Sequence, residues 1–486
     1  MLPANGSQQA AVASAPRGML IGGEWSLRPP LIEVRNGYDG ELAGVVSAAT
    51  AADAAQAVTR ALEALAGDFP PDARCEVLSR AAARVESQAA EYAADIAAEG
   101  GETLREARRD PPRAAAILRL AAAESRALKG HALAAGTLAG QGREHHVGYT
   151  LRVPLGVVAA IVPWQDPLVT AALAVAAALA AGNAVVLKPS PAAPLSALRL
   201  ARDLIEAGLP AGRLSVLTGP DEEVETALAA DPRAAMLWFA GAPAEGQRLA
   251  QAAGLRPVAL HAAANAPFLV LAAADLQSAA EGVCALAFSH GARNRLGVQR
   301  VLIQRDIYAA FATCLRERAA ALKAGPSREE SSDIAPLMSE AQAVRVAEWI
   351  SGALAQGAVV LAGGVCRGAL MEPTVLARVP AEWLAHRDEV FGPLVALEPF
   401  DRPEDAIARA NQVPRAAGGA VFTRDLREAF TAASLLQAGA VTVNDADTNP
   451  IEPGPFGVLR VAGSGGKAMR AAVREFTRVR AACFSY

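Results

Sequence analysis

The chain has 486 residues, 52% hydrophobic and 20% charged, which is long and apolar enough for two or three domains with large buried cores. Its 46 basic residues against 50 acidic ones give a formal net charge of -4 with no long run of one sign, which argues against a nucleic-acid or anionic-membrane partner. Five cysteines (Cys75, Cys284, Cys314, Cys366 and Cys483) are widely spaced and form no C-x-x-C, so neither a disulfide framework nor a zinc site is indicated.

Residues 1–17 lack the charged start and continuous apolar core of a secretory signal. Their Ala, Ser, Gln and Pro content predicts a disordered tail on a cytoplasmic protein. From Ala51 to about Ala132, Ala, Leu and Arg recur at helical spacing, with expected breaks at Asp68-Phe69-Pro70-Pro71 and Asp110-Pro111-Pro112. Gly136 to Tyr149 is rich in Gly, His and polar residues and reads as an excursion from the main body. Its adjacent His145 and His146 lack metal-ligand spacing and are read as solvated.

Val157–Val162 and Ala184–Leu187 are short apolar runs bounded by Gly or Pro, alternating with helical segments such as Leu195–Ala207. This is the βαβ pattern of a doubly wound parallel sheet. Ala171–Ala181 has about half the ~20 residues of a bilayer span and predicts a buried helix. Pro267–Leu271, Val301–Ile303 and Val359–Leu361 as strands, with Ala341–Ala355 as a helix, predict a second α/β domain. Cys284, in the alanine-rich run Ser278–Phe288, is read as a buried helix residue.

Several motifs then follow in order: Val153-Pro154-Leu155-Gly156, Pro163-Trp164, Gly182-Asn183-Ala184-Val185-Val186-Leu187-Lys188-Pro189-Ser190, Leu217-Thr218-Gly219-Pro220, Glu389-Val390-Phe391-Gly392-Pro393 and Val443-Asn444-Asp445. In these the chain resembles the NAD(P)-dependent aldehyde dehydrogenases. Asn265-Ala266-Pro267, Val298-Gln299-Arg300 and Lys188–Ala197 resemble most the lactaldehyde and phosphonoacetaldehyde branch, whose substrates are small polar aldehydes. The resemblance implies an α/β fold with a doubly wound parallel-sheet cofactor domain (18–126 and 149–256), a catalytic-type α/β domain (257–440) and a return to the cofactor domain (441–467). It also implies oligomerisation elements at 127–148 and 468–486, and hence a homo-oligomer, dimer or tetramer.

In that family a cysteine thiolate attacks the aldehyde, a glutamate activates water, and an asparagine amide helps hold the oxyanion. Counting back from Val298-Gln299-Arg300, the nucleophile position falls on Arg295. A guanidinium stays protonated and has no lone pair to offer a carbonyl. The base position falls on His261 and the amide position on Gln165, one methylene longer than asparagine. No cysteine lies between Cys284 and Cys314, so a small shift of register supplies no thiol.

For the cofactor, NAD or NADP, the resemblance implies Pro163, Trp164, Lys188, Ser190, Gly219, Gly241, Gly246, Glu389 and Phe391 as contacts. The family's hydroxyl residues are Ala240 and Ala242 here, its two glycines after the base are Ala263 and Ala264, and an acid near the adenosine ribose is Pro191, which ranks NADP with NAD. Arg293 and Arg295 can clamp an anion or pair with a local acid, the second being the default. His290 either lines a former substrate tunnel or ends a helix. The reading is a pseudoenzyme with the fold kept, acting as a structural or regulatory subunit with itself, an active paralogue or another protein. The alternative is an active NAD(P)-dependent oxidoreductase on small aldehydes with a repurposed site. No metal site is expected.

Overall fold

The computed structural model describes residues 17–133, 146–262, 266–288, 298–380, 390–412, 415–416, 418–445, 459–460 and 469–485. Two seven-stranded sheets organise it. The first runs in the order Val258–Ala262, Ala234–Gly241, Val157–Val162, Ala184–Pro189, Leu214–Val216, Met19–Ile21, Glu24–Ser26. Its strands from Val258–Ala262 to Leu214–Val216 are parallel, and the two N-terminal strands close one edge antiparallel. Val157–Val162 and Ala184–Pro189 are buried throughout, as parallel strands covered on both faces must be. One face packs Trp238, Val158 and Leu187 against the helices 110–127 and 167–180; the other packs Phe239, Ala159 and Val186 against the helices 51–65, 221–230 and 243–253. The alanine-rich helix Pro167–Ala180 is almost wholly enclosed. Among the described residues no helix is long and apolar enough to cross a membrane.

The second sheet runs Val359–Ala362, Thr374–Ala377, Leu394–Phe400, Val298–Gln304, Ala266–Val270, Gly419–Phe422, Val441–Val443, parallel except at the Val359–Ala362 edge. At its centre Arg300, 1% exposed, donates from Nε to Glu398 at 2.6 Å.

Strands Ala132–Leu133, His146–Pro154 and Thr477–Ser485 form a three-stranded antiparallel arm, with Thr477 opposite Pro154 at its root. Val147, Tyr149, Leu151 and Phe484 lie on it with their side chains about half exposed, and the rings of Tyr149 and Phe484 stack at 5.8 Å. Just inside the root, Asn183 is fully buried. Its Oδ1 accepts from Gly156 N at 2.9 Å, and its Nδ2 donates to Ala178 O and Phe476 O, both at 3.0 Å.

The structure corrects four boundaries. Val258–Ala262 completes the first sheet, so that domain continues past 257. Val441–Val443 pairs with Gly419–Phe422 in the second sheet, so no return to the first domain begins at 441. The helix Met469–Glu475 buries Met469, Ala472 and Val473 in the first domain's core, leaving only the strand after it to the arm, and strand His146–Pro154 carries the arm beyond 148. The expected break at Asp110-Pro111-Pro112 is where the short helix Leu104–Ala107 gives way to the helix Asp110–Ala127, whose first turn takes the prolines because its N–H groups have no partner in the helix. The 1–16 part of the predicted tail lies outside the described residues.

Candidate functional site

The carboxyl ends of the first sheet's parallel strands gather the residues that the motifs single out, where a doubly wound sheet holds its ligands. Register places Val162 beside Pro189, Ile161 beside Lys188 and Phe239, and Ala240 beside His261. Pro163, Trp164 and Gln165 follow directly, half-buried, and Ser190 N donates to Val162 O at 3.0 Å.

His261, 5% exposed, lies against the buried indole of Trp238, ring centroids 4.7 Å apart and planes at 36°. The side chain at the family's base position is thus packed into the face of the first sheet. Gln165 Oε1 is buried and accepts no hydrogen bond from the described residues, while its carbonyl accepts from Thr170 Oγ1 at 3.4 Å.

Asp166, the next residue, adopts the left-handed conformation with φ 43°. Its Oδ1 accepts from Arg113 Nη1 at 3.3 Å, and the same nitrogen reaches Asp110 at 3.1 Å. The carboxylates of Glu102, Asp110 and Asp166, all buried, come within 4.8 Å of one another. Burial works against the Arg113 charge, but Asp166, Asp110 and Glu102 outweigh it and hold the guanidinium above its usual pKa. The sequence reading missed this cluster beside the amide position. An ionisable residue immediately after Gln165 was the available signal.

The nucleophile position, Arg295, lies outside the described residues, as do His290, Arg293, Ala263, Ala264, His145 and Glu389; of His146 only the backbone is described. The cysteines on either side of Arg295 in sequence are placed. Cys284 sits on the helix Leu276–Ala287, half-buried and not fully enclosed as expected, its thiol pushed up to about 12 chiefly by burial. Cys314 is buried on the helix Tyr308–Ala321, its Sγ 3.8 Å from Leu276 O. On the strand Val298–Gln304, Gln299 holds Val390 from both sides. Its Oε1 accepts from Val390 N at 2.9 Å and its Nε2 donates to Val390 O, while Gln342 Nε2 donates to Phe391 O at 2.9 Å. Two glutamines, Gln299 quoted from sequence only as a motif residue and Gln342 not at all, thereby fix the backbone at Val390 and Phe391.

The cofactor positions were tested against the geometry. Lys188 is fully buried, with Nζ donating to Pro189 O at 2.9 Å. Ser190 Oγ accepts from Ala192 N at 3.4 Å. A Cβ on Gly219, which has φ 124°, would meet Ala49 N at 2.9 Å; on Gly241 it would meet Phe239 Cζ at 2.6 Å, and on Gly246 Phe239 Cε1 at 3.0 Å. Gly219 is therefore required by the protein's own backbone, whereas Gly241 and Gly246 are set against the Phe239 ring, whether or not a ligand approaches. The helix Pro243–Ala253 begins with proline at its first turn and carries Glu245 there. Arg248 reaches from this helix to the helix Asp221–Ala230: Nη1 donates to Thr226 Oγ1 at 2.8 Å, and Nη2 stands 3.7 Å from both Glu225 and Glu245. These residues do not fit a dinucleotide well.

Comparison with known proteins gives this geometry its relatives. The aldehyde dehydrogenase family model matches residues 26–482. The 3-sulfolactaldehyde dehydrogenase of Priestia aryabhattai is 36% identical over 463 residues, 95% of this chain and 97% of that one. The aspartate-semialdehyde dehydrogenase 1 of Pseudomonas canavaninivorans is 34% identical over 462 residues, 94% of this chain and 97% of that one. Among solved structures, an NADP-dependent enzyme of E. coli superposes with TM-score 0.93 at 30% identity, covering 97% of this chain and 98% of its own. A fold and a motif order shared over nearly the whole length leave one conclusion: the chain belongs to the aldehyde dehydrogenase family.

Proposed function

We propose that this family member has lost thiol-based, NAD(P)-dependent aldehyde oxidation and serves as a structural or regulatory subunit in the cytoplasm, in an oligomer of its own copies or beside an active paralogue. The observation that carries this reading is the lack of a cysteine at or near the nucleophile position. Arg295 occupies the position where the family's nucleophile belongs, no cysteine lies between Cys284 and Cys314, and both of these are helix residues. A half-buried thiol with a pKa of about 12 carries almost no thiolate near neutrality, and the thiolate is the nucleophile. His261, turned onto Trp238, supports the same reading, since a base must reach the proton it takes. The exposed apolar side chains of the arm support association with another subunit.

The relatives named above act on 3-sulfolactaldehyde and aspartate semialdehyde, so small polar aldehydes are the class to test. The experiment is a panel of such aldehydes with NAD or NADP at millimolar concentration, followed at the absorbance band of the reduced nicotinamide. No reduction is expected. Steady turnover with any of them would overturn the reading.

A further inference from the structure

We propose that the dinucleotide seat of this fold is closed by the protein's own side chains, so that the chain works without NAD or NADP. This rests on family membership and on the geometry between two helices, and not on the loss of the thiol.

A dinucleotide on a doubly wound sheet sets its diphosphate at a helix N-terminus and lays its purine in an apolar slot nearby. Here the helix is Pro243–Ala253, entered from the strand Ala234–Gly241. Its first turn offers little to an anion. Pro243 has no N–H, Ala240 and Ala242 have no hydroxyl, and the Glu245 carboxylate already complements the helix dipole, so a diphosphate would meet a like charge.

The interval beside that turn, toward the helix Asp221–Ala230, is equally altered. Val224, Leu228 and Leu249, all buried, pack together between these two helices and the sheet. Across the interval Arg248 links Thr226, Glu225 and Glu245. A purine entering there must displace Arg248 from Thr226, Glu225 and Glu245. Glu222 and Glu223 in the first turn of the helix Asp221–Ala230 add negative charge, which disfavours a 2′-phosphate and removes the parity of NADP with NAD that Pro191 suggested. At the far end Lys188, which an adenosine ribose would need, is fully buried and bonded to Pro189 O.

The test is calorimetric titration of the full chain with NAD and, separately, NADP. Two variants accompany it, Glu245→Val/Arg248→Leu to open the slot and Ala242→Ser/Pro243→Thr to restore donors at the helix start, each checked for an unchanged circular dichroism spectrum. The unaltered protein is expected to give no saturable heat to millimolar ligand, and at least one folded variant to gain about tenfold or more in affinity, the worth of about 1.4 kcal/mol. Saturable micromolar binding by the unaltered protein overturns the proposal. So does the failure of both folded variants to gain affinity, because the bridge and the helix start would then not be what excludes the ligand. Binding without aldehyde turnover would remove this inference and leave the proposed function standing.

Discussion

His261 rests on Trp238 with ring centroids 4.7 Å apart, so the residue at the family's base position and a buried indole form one packed unit. Trp238→Ala removes that support and leaves a cavity in the face that also holds Met236 and Ala240. A loss of about 3–5 kcal/mol in unfolding free energy is expected by urea titration. A loss under about 1 kcal/mol would mean that the neighbours refill the space and that the indole does not hold His261 in place.

Restoring the missing chemistry need not involve a cofactor. Arg295→Cys with His261→Glu should release nitrophenol steadily from p-nitrophenyl acetate, a reaction in which a thiolate is acylated and water then frees the acid. The unaltered protein should stay at the buffer rate. If the double variant also stays there while its new thiol reacts with iodoacetamide, the assignment of Arg295 to the nucleophile position loses its support.

The native cysteines should separate by reactivity. Cys483 is exposed on the arm, whereas the Cys284 thiol is raised to about 12, mainly by burial. Mass-spectrometric alkylation at pH 8 should modify Cys483 first and leave Cys284 essentially untouched, its thiolate fraction being on the order of 10⁻⁴. Rapid modification of Cys284 in folded protein would contradict its placement on the inner side of its helix.

Glu99 gives a pH-dependent prediction. It is 1% exposed, and its pKa is raised well above the usual carboxylate value, first by burial and further by Asp95 and Glu102, against the opposing Leu195 N–H and Arg17. The folded chain therefore holds this proton more tightly than the unfolded chain does. That contribution is fully present below the unfolded value of about 4.3 and is lost as pH rises through the folded value. Glu99→Gln keeps an oxygen for Leu195 N, which approaches Glu99 Oε1 at 2.5 Å, and removes the titration. Its melting temperature should exceed that of the unaltered protein at pH 7 and approach it at pH 4. Equal differences at both values would show that Glu99 does not titrate in this window.

The arm predicts association. Light scattering should give a mass above that of one chain, and Leu151→Arg with Phe484→Glu, which charge its apolar face, should lower that mass without changing the circular dichroism. A single-chain mass for the unaltered protein would leave the exposed Val147, Tyr149, Leu151 and Phe484 without the role assigned to them.

The strands Val157–Val162 and Ala184–Pro189 were legible because each is a short apolar run bounded by Gly or Pro, as in Val157–Val162 before Pro163. The segment Ala171–Ala181 was legible as a buried helix because its alanines leave no polar face. What local pattern does not carry is which sheet a strand joins. Val258–Ala262 and Val441–Val443 look alike as short apolar runs, and only their pairing partners assign them to different domains. The breaks at Asp68-Phe69-Pro70-Pro71 and Asp110-Pro111-Pro112 were legible because proline is excluded from a helix interior yet suits a first turn, and a new helix starts at each. At the site, Arg295, His261 and Gln165 were assigned by counting from motifs, and Arg295 lies outside the described residues. The Glu102, Asp110, Asp166 and Arg113 cluster and the Arg248 bridge join residues from separate elements, so no spacing announces them.

Asn183 ties Phe476 to Gly156 and Ala178 at the point where the arm leaves the body. The arm is consequently a lever with a welded base. A torque applied to strands 146–154 and 477–485 by a docking subunit has no slack linker in which to dissipate and arrives at the roots of Val157–Val162 and Ala184–Pro189. Those strands run on to Pro163, Trp164, Lys188 and Ser190 at their other ends, so the arm and the positions that the resemblance gives to the cofactor lie on the same two strands.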